Sequence, residues 1–426
     1  MTAPWQAARR ILCVRLDGLG AVLQTTPALR ALGAAAPART LTLLAAPSGA
    51  AALPFVPELD DAIAWAAPWT HAWAGAGAGA GADAGGRAGT AAPAPAAAAG
   101  CASASPPASV PASLRASTLA LVDRLAACRF DAAVIFTTYA QSPLPAALLC
   151  QLARIPLRLA HCRDDPHGLL TDWIPDPEPA PLVRHDVQRQ LALVERVGCR
   201  SVAPGLSFVP RPADVAEARD RLAAAGVDPD GPWLLLHPGA GAAAHRYPPA
   251  GWVRTLRLLA QTVRMPLVLT GSAADALLVD TIRGDAGVPA TTLAGRLSLG
   301  ALGAALRLAA VAVTGNTAPA RIAAAVGTPV VNLYALTAPQ HTPWHVRSRV
   351  LFHDVPCRFC AGRTCAQGHH DCLAGVAPRR VVDAVLELLD AAAPDHRATA
   401  EHRALTTRHA PAHPCSAPDR HPANDG

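Results

Sequence analysis

The sequence predicts an α/β protein made of two doubly wound parallel sheets, and three observations carry that expectation. Short apolar runs recur along the chain, each followed by a helical stretch. The runs fall into two series separated by a proline-rich, charged connection. Several strand-like runs end in glycine-rich turns that open a helix. Alternating β and α elements with apolar strands belong to parallel sheets covered on both faces. Two such series in 426 residues give two cores facing each other.

In the first series, "ILCVRL" (11–16) reads as a buried strand, followed by a helix from Ala21 to Leu32. "TLTLLAA" (40–46), "DAAVIFT" (131–137) and "PLRLAHC" read as further strands, with a helix through "PLPAALLCQLA". Residues 68–111 are dominated by Ala, Gly and Pro without apolar periodicity, the pattern of a disordered loop. The first domain therefore spans 1–205. Residues 206–230 form a linker with the charged helix "DVAEARDRLAAAG". The second domain, 231–390, alternates strands "WLLLHPG", "PLVLTGS", "VAVTGN" and "PVVNLYA" with helices "GWVRTLRLLAQTV", "DALLVDTIR", "GALGAALRLA" and "PARIAAAVG". An amphipathic helix, "PRRVVDAVLELL" (378–389), closes it. The tail, 391–426, carries five irregularly spaced histidines and reads as a disordered, solvated segment rather than a metal site.

Composition narrows the function. The net charge is +6, and the basic residues are not gathered on one segment, which argues against a nucleic-acid partner. All 37 basic residues are arginine, so a cation that other chains supply as lysine appears here as a planar fork. Eleven cysteines, seven of them scattered singly, do not form a disulfide framework. The N-terminus is too short in apolar residues for a signal peptide, and no run reaches the ~18 residues of a spanning helix. The expectation is a cytoplasmic protein, with peripheral contact to the inner face of the membrane.

Ligands of doubly wound sheets bind beyond the carboxyl ends of the strands, at helix N-termini. Three such turns in the second domain suit a phosphate-bearing ligand. "HPGAGAAAHRYPP" supplies His237, Pro238, Gly239 and Gly241, with Arg246 at its far side. "TGS" supplies Gly271 and Ser272. "TGNTAPAR" supplies Asn316, Thr317, Ala318, Pro319 and Arg321. In the first domain, "RLDGLGAVLQTTPALRAL" (15–32) is the equivalent turn, offering Asp17. Arg15, Arg184 and Arg189 with His185 are candidates to meet acceptor phosphates, or else form a solvated face. "HTPWH" (341–345) falls near the expected cleft without an assigned role.

Together "RLDGLGAVLQTTPALRAL", "HPGAG…RYPP", "TGNTAPARIAAAVGTPVV" and "LYALTAPQHTPW" resemble the bacterial heptosyltransferases of glycosyltransferase family 9, in particular the branch of lipopolysaccharide heptosyltransferase II. The resemblance runs from Ile11 to Leu389, interrupted by the low-complexity stretch. It implies the GT-B arrangement of two Rossmann-like domains, acceptor-binding first and nucleotide-sugar-binding second. It implies inverting transfer of heptose from ADP-heptose to the lipopolysaccharide inner core, with no catalytic metal or cofactor. The second domain would hold the donor, with Arg246 neutralising the diphosphate as charge builds on the leaving group. Two positions depart from the family. Its turn reads Gly-Asp, with the aspartate as general base, where this chain has Gly20-Ala21. Its Thr-Gly-Pro-x-His motif is here Thr317-Ala318-Pro319-Ala320-Arg321. Asp17 is then either a substitute base or an anchor for the loop. The alternatives are a homologue that binds nucleotide-sugar without turnover, and a transferase acting on protein, as autotransporter heptosyltransferases do.

Finally, Cys357, Cys360, Cys365 and Cys372 are spaced C-x₂-C-x₄-C-x₆-C. Four thiols this dense suit a structural zinc or iron, with His369 or His370 as substitute ligands, or else a reduced metal-free loop. Related autotransporter heptosyltransferases carry a structural four-cysteine iron site.

Overall fold

A computed structural model describes residues 3–36, 38–69, 112–180, 182–201, 203–336, 338–360 and 362–391. The low-complexity stretch past residue 69 and the tail past 391, both expected to be disordered, lie outside the described residues.

The first sheet holds β1 (Arg10–Arg15), β2 (Thr40–Ala45), β3 (Asp61–Ala64), β4 (Ala132–Ile135), β5 (Leu157–Cys162) and β6 (Asp172–Pro175), in the order β3-β2-β1-β4-β5-β6. The second holds β7 (Leu234–His237), β8 (Leu267–Leu269), β9 (Thr291–Thr292), β10 (Val311–Gly315), β11 (Val330–Leu333) and β12 (Ser348–Leu351), in the order β12-β11-β10-β7-β8-β9. Every pairing is parallel, with Leu12 opposite Ala133 and Thr314 opposite His237. The two orders are the same doubly wound pattern. Each reverses direction between its first and fourth strands, β1 beside β4 and β7 beside β10.

The central strands are buried on both faces, as their apolar runs require. The four strands that the sequence did not announce, β3, β6, β9 and β12, are the four sheet edges. Each is short and partly exposed, so none carries a continuous apolar run.

The helices are α1 (Ala3–Ala7), α2 (Leu19–Ala34), α3 (Pro47–Ala50), α4 (Ala112–Cys128), α5 (Leu144–Leu152), α6 (Asp186–Glu195), α7 (Pro212–Ala224), α8 (Pro249–Thr262), α9 (Ala276–Ala286), α10 (Leu299–Leu308), α11 (Ala318–Val326), α12 (Asp371–Ala374) and α13 (378–391). α2 is buried along most of its length, packed against α6 and α11. Pro27 sits inside it and has no N–H to give the Leu23 carbonyl, which accepts instead from Thr26 Oγ1 at 2.7 Å. The apolar core is continuous from the first sheet to the second. Phe208, from the connection between the sheets, stacks on Phe55 with centroids 4.7 Å apart. It also lies against Gly303 of α10, where a Cβ would overlap its ring. Among the described residues, no helix is long and apolar enough to cross a membrane.

Candidate functional site

Both switch points open on one cleft of about 940 Å³ between the sheets. Its first wall is the turn from β1 into α2, with Gly18, Gly20, Ala21 and Gln24. Its second is formed by the loop after β7, the turn after β8 and the turn from β10 into α11. The starts of α2 and α11 lie side by side: a Cβ on Gly20 would sit 3.5 Å from Arg321 Cδ and 3.6 Å from the Ala318 Cα. Gly18 caps α2 and Thr317 caps α11 without a side-chain hydrogen bond to the helix. Two helix N-termini, each the positive end of its dipole, thus meet at the cleft.

The charges agree with that polarity. Arg246, Arg321 and Arg363 line the cleft, against Asp275 as the carboxylate among the described lining residues. Asp275 is occupied by the turn after β8, accepting from Ser272 N at 3.0 Å and from Ser272 Oγ at 2.5 Å. Arg246 Nε donates to the Ala240 carbonyl at 3.1 Å, which holds the loop after β7. Arg321 is 7% exposed; its Nη1 donates to Thr317 O at 2.8 Å and its Nη2 to His341 O at 3.1 Å. Burial lowers the Arg321 pKa, but a guanidinium keeps its charge. Arg321 Nε, Thr317 Oγ1 and Asn316 Oδ1 are buried with no hydrogen-bond partner. Buried polar groups are seldom left so, and these three are gathered in one turn at the cleft. Burial also pushes the His237 and His245 imidazoles down to about 4, so both are neutral near pH 7.

Of the expected binding residues, His237, Gly239, Gly241, Arg246, Ser272, Asn316, Thr317, Ala318, Pro319 and Arg321 line this cleft, as does Ala21. Pro238 and Gly271 lie in the same loops without lining it. Asp17 is different: it lines a separate pocket of about 60 Å³ with Leu16, Trp69, Thr137 and Gln141. Its carboxylate pairs with Arg15 Nε at 2.9 Å and accepts from Gln141 Nε2 at 2.7 Å. It behaves as an anchor of the loop rather than a group facing the cleft.

The expectation of acceptor-binding arginines also needs correction. Arg15 is fully buried between Asp17 and Asp186. Arg189, 2% exposed, clasps Asp176 with two hydrogen bonds of 2.8 Å and also faces Glu178. Arg184 pairs with Glu178, and His185 caps α6 and stacks on Trp344. These cations are consumed by carboxylates that the sequence places 2 to 171 residues away.

The four cysteines share one loop: Cys357 and Cys372 pack on the same apolar cluster, and Cys372, raised chiefly by burial, is raised further by Cys365, Cys360 and Cys357. Cys357 Sγ lies 3.6 Å from His369 Nε2, Cys360 is exposed, and Cys372 packs against the second core. Among the described residues, no group of three or more His, Cys, Asp or Glu is arranged to hold a metal ion. The loop instead turns on Phe359, Gly368 and His370 with positive φ, and the Cys365 thiol is drawn down by the backbone amides of residues 367–370, His370 first.

Residues 118–370 match the family model for glycosyltransferase family 9 (heptosyltransferase), more than half of the chain. The chain belongs to glycosyltransferase family 9. Over 161 residues it is 30% identical to lipopolysaccharide heptosyltransferase 1 of Pseudomonas aeruginosa, a stretch covering 37% of this chain and 44% of that relative's length. Two solved structures share its fold. A family 9 glycosyl transferase from Veillonella parvula has a TM-score of 0.65 at 16% identity, covering 89% of this chain and 97% of that one. The ADP-heptose lipopolysaccharide heptosyltransferase II of E. coli has a TM-score of 0.62 at 20% identity, covering 89% and 98%. The two facing parallel sheets are the GT-B fold of family 9.

Polar lining residues of this family 9 cleft that escaped the sequence analysis include Gln24, Ser48, His245, Asp275, Arg363 and, as a residue with a role, His341. Gln24 carried a usable signal, since it follows Ala21 by three and so shares its helical face. Arg363 carried none, because its place at the cleft depends on long-range contacts such as the hydrogen bond from Ala244 N to its carbonyl.

Proposed function

We propose that the protein is an inverting glycosyltransferase that moves a heptose from ADP-heptose to an inner-core lipopolysaccharide acceptor. The observation that carries this reading is the cleft's polarity: two helix N-termini and three arginines against one carboxylate that is already occupied. A nucleoside diphosphate leaving group gains charge as the glycosidic bond breaks, and fixed cations and N–H dipoles stabilise that charge most in the transition state. Arg246 and the turn 315–321 would receive the diphosphate, assigning the donor to residues 231–390 and the acceptor to residues 1–205. The names of the family members it resembles, one of them an ADP-heptose lipopolysaccharide heptosyltransferase, support the choice of donor. No cofactor enters the reaction. An acceptor of this kind would bring the protein to the cytoplasmic face of the inner membrane.

Ala21 favours a second reading, in which the cleft binds ADP-heptose without turnover, since alanine cannot take the proton of an attacking hydroxyl. The test is a transfer assay with ADP-heptose and a truncated inner-core acceptor, read by mass spectrometry. Gain of one heptose on the acceptor with release of ADP is expected. Donor binding without product favours the second reading, and absence of both overturns the proposal.

A further inference from the structure

Position 21 offers no base, yet the turn after β11, across the cleft, brings a histidine beside it that is set up as one. His341 lines the cleft beside Ala21 and Gln24, with its side chain 19% exposed. Its Nδ1 lies 3.0 Å from Gln24 Oε1 and 4.0 Å from Asp186 Oδ2. With the Gln24 amide oxygen in hydrogen-bond reach and the Asp186 carboxylate behind it, Nδ1 is placed to donate, an arrangement that would leave the Nε2 lone pair for a substrate proton. Asp186 is fully buried. Burial works to raise its carboxyl, but Arg15, His341 and the Gln190 amide outweigh that and hold it below the usual range. Arg15 Nη2 and Gln190 Nε2 fix it at 2.8 Å each.

The backbone of His341 is pinned as well, its N–H donating to Tyr334 Oη at 3.2 Å and its carbonyl accepting from Arg321. An imidazole with Nδ1 placed to donate, a carboxylate behind it and a rigid backbone is the constellation of a positioned general base.

Resting on the transfer reading above, we infer that His341 is the catalytic base, replacing a carboxylate at position 21, with Gln24 and Asp186 as positioning residues. The acceptor hydroxyl oxygen attacks the anomeric carbon, and a new C–O bond forms. The bond from that carbon to the β-phosphate oxygen breaks, and its electron pair leaves with ADP. The hydroxyl proton passes to His341 Nε2, and Asp186 stabilises the imidazolium. The groups facing the ring are Asp186 and His185 at the start of α6, Arg15 at the end of β1, Gln24 on α2 and Arg321 on α11. Burial foremost, with Arg321, Arg15 and His185, pushes the imidazole down to about 3 against the pull of Asp186.

The test compares wild type, His341→Asn and His341→Asn/Ala21→Asp. Asparagine keeps an amide donor for Gln24 but removes the basic nitrogen. Expected are a fall in kcat of ~10²–10⁴-fold for the single variant, ADP-heptose affinity within about threefold (~0.65 kcal/mol) of wild type, and partial recovery in the double variant. Nitrogen-15 NMR of the imidazoles gives a readout without substrate, with the His341 resonance expected as the Nδ1–H tautomer at pH 7. A single variant that keeps its rate within a few fold, or an Nε2–H tautomer, overturns the assignment. If wild type is inert and Ala21→Asp alone transfers, the transfer reading stands and the base assignment falls. If neither transfers, the transfer reading fails first.

Discussion

Asp17 and Arg15 form an ion pair, Oδ2 to Nε at 2.9 Å, that closes the turn between β1 and α2 from beneath. The Arg15 guanidinium is fully buried and shared with Asp186, so the carboxylate nearest in sequence to the missing base is tied to the architecture. Replacing Asp17 by asparagine is expected to lower thermal stability by about 1–2 kcal/mol while transfer falls less than tenfold. Thermal unfolding and initial rates on the same preparation check this. Loss of a hundredfold or more in rate at unchanged stability would return the base to Asp17.

Arg189 was a candidate for acceptor phosphates and is instead a buried partner of Asp176 and Glu178. Truncation to alanine leaves those carboxylates without their cation, which for buried pairs costs ~3–5 kcal/mol. Urea unfolding of Arg189→Ala is expected to show a loss of that size. A variant of wild-type stability with weakened acceptor binding would restore the original expectation.

The connection between the sheets makes a third prediction. Gly303 has no room for a Cβ against Phe208, which itself stacks on Phe55. Although alanine is the better helix former, Gly303→Ala is expected to destabilise by ~1–3 kcal/mol through overpacking. Unchanged or raised stability in denaturant titration would mean that Phe208 is not wedged there.

Acid sensitivity follows from the buried imidazoles. Burial foremost pushes His161, His237 and His245 down to about 4 from 6.5. Between those values the unfolded chain binds protons that the folded one refuses, so stability rises with pH there. It is fully present above pH 6.5 and lost as pH falls toward 4. The carboxylates held low, Asp176, Asp186 and Asp214, act only at lower pH. Melting temperature measured from pH 7.5 to 4.5 is expected to fall steadily, with a shallower slope in His237→Asn. A flat profile would contradict the neutral, buried state of these rings.

Much of this was legible in the residues. Strands β1, β2, β4, β5, β7, β8, β10 and β11 are apolar because helices cover both their faces, and that signal survives in one sequence. The edges β3, β6, β9 and β12 are half-solvated, so their residues resemble loop. The second sheet's side of the cleft was legible because glycines and a proline at strand ends have few other uses. Arg15, Arg184 and Arg189 misled because a cation's role depends on distant carboxylates such as Asp176 and Asp186. His341 went unassigned because Gln24, the partner that orients it, is 317 residues away.

The most direct measurement is calorimetric titration of ADP into wild type and into Arg246→Ala at fixed ionic strength. Charged hydrogen bonds contribute ~1.5–3 kcal/mol, so a loss of ~10–100-fold in affinity is expected for the variant if the diphosphate sits on Arg246 and the turn 315–321. Wild type that does not bind ADP, or a variant that binds it equally well, would contradict the assignment of the cleft to a nucleotide-sugar donor.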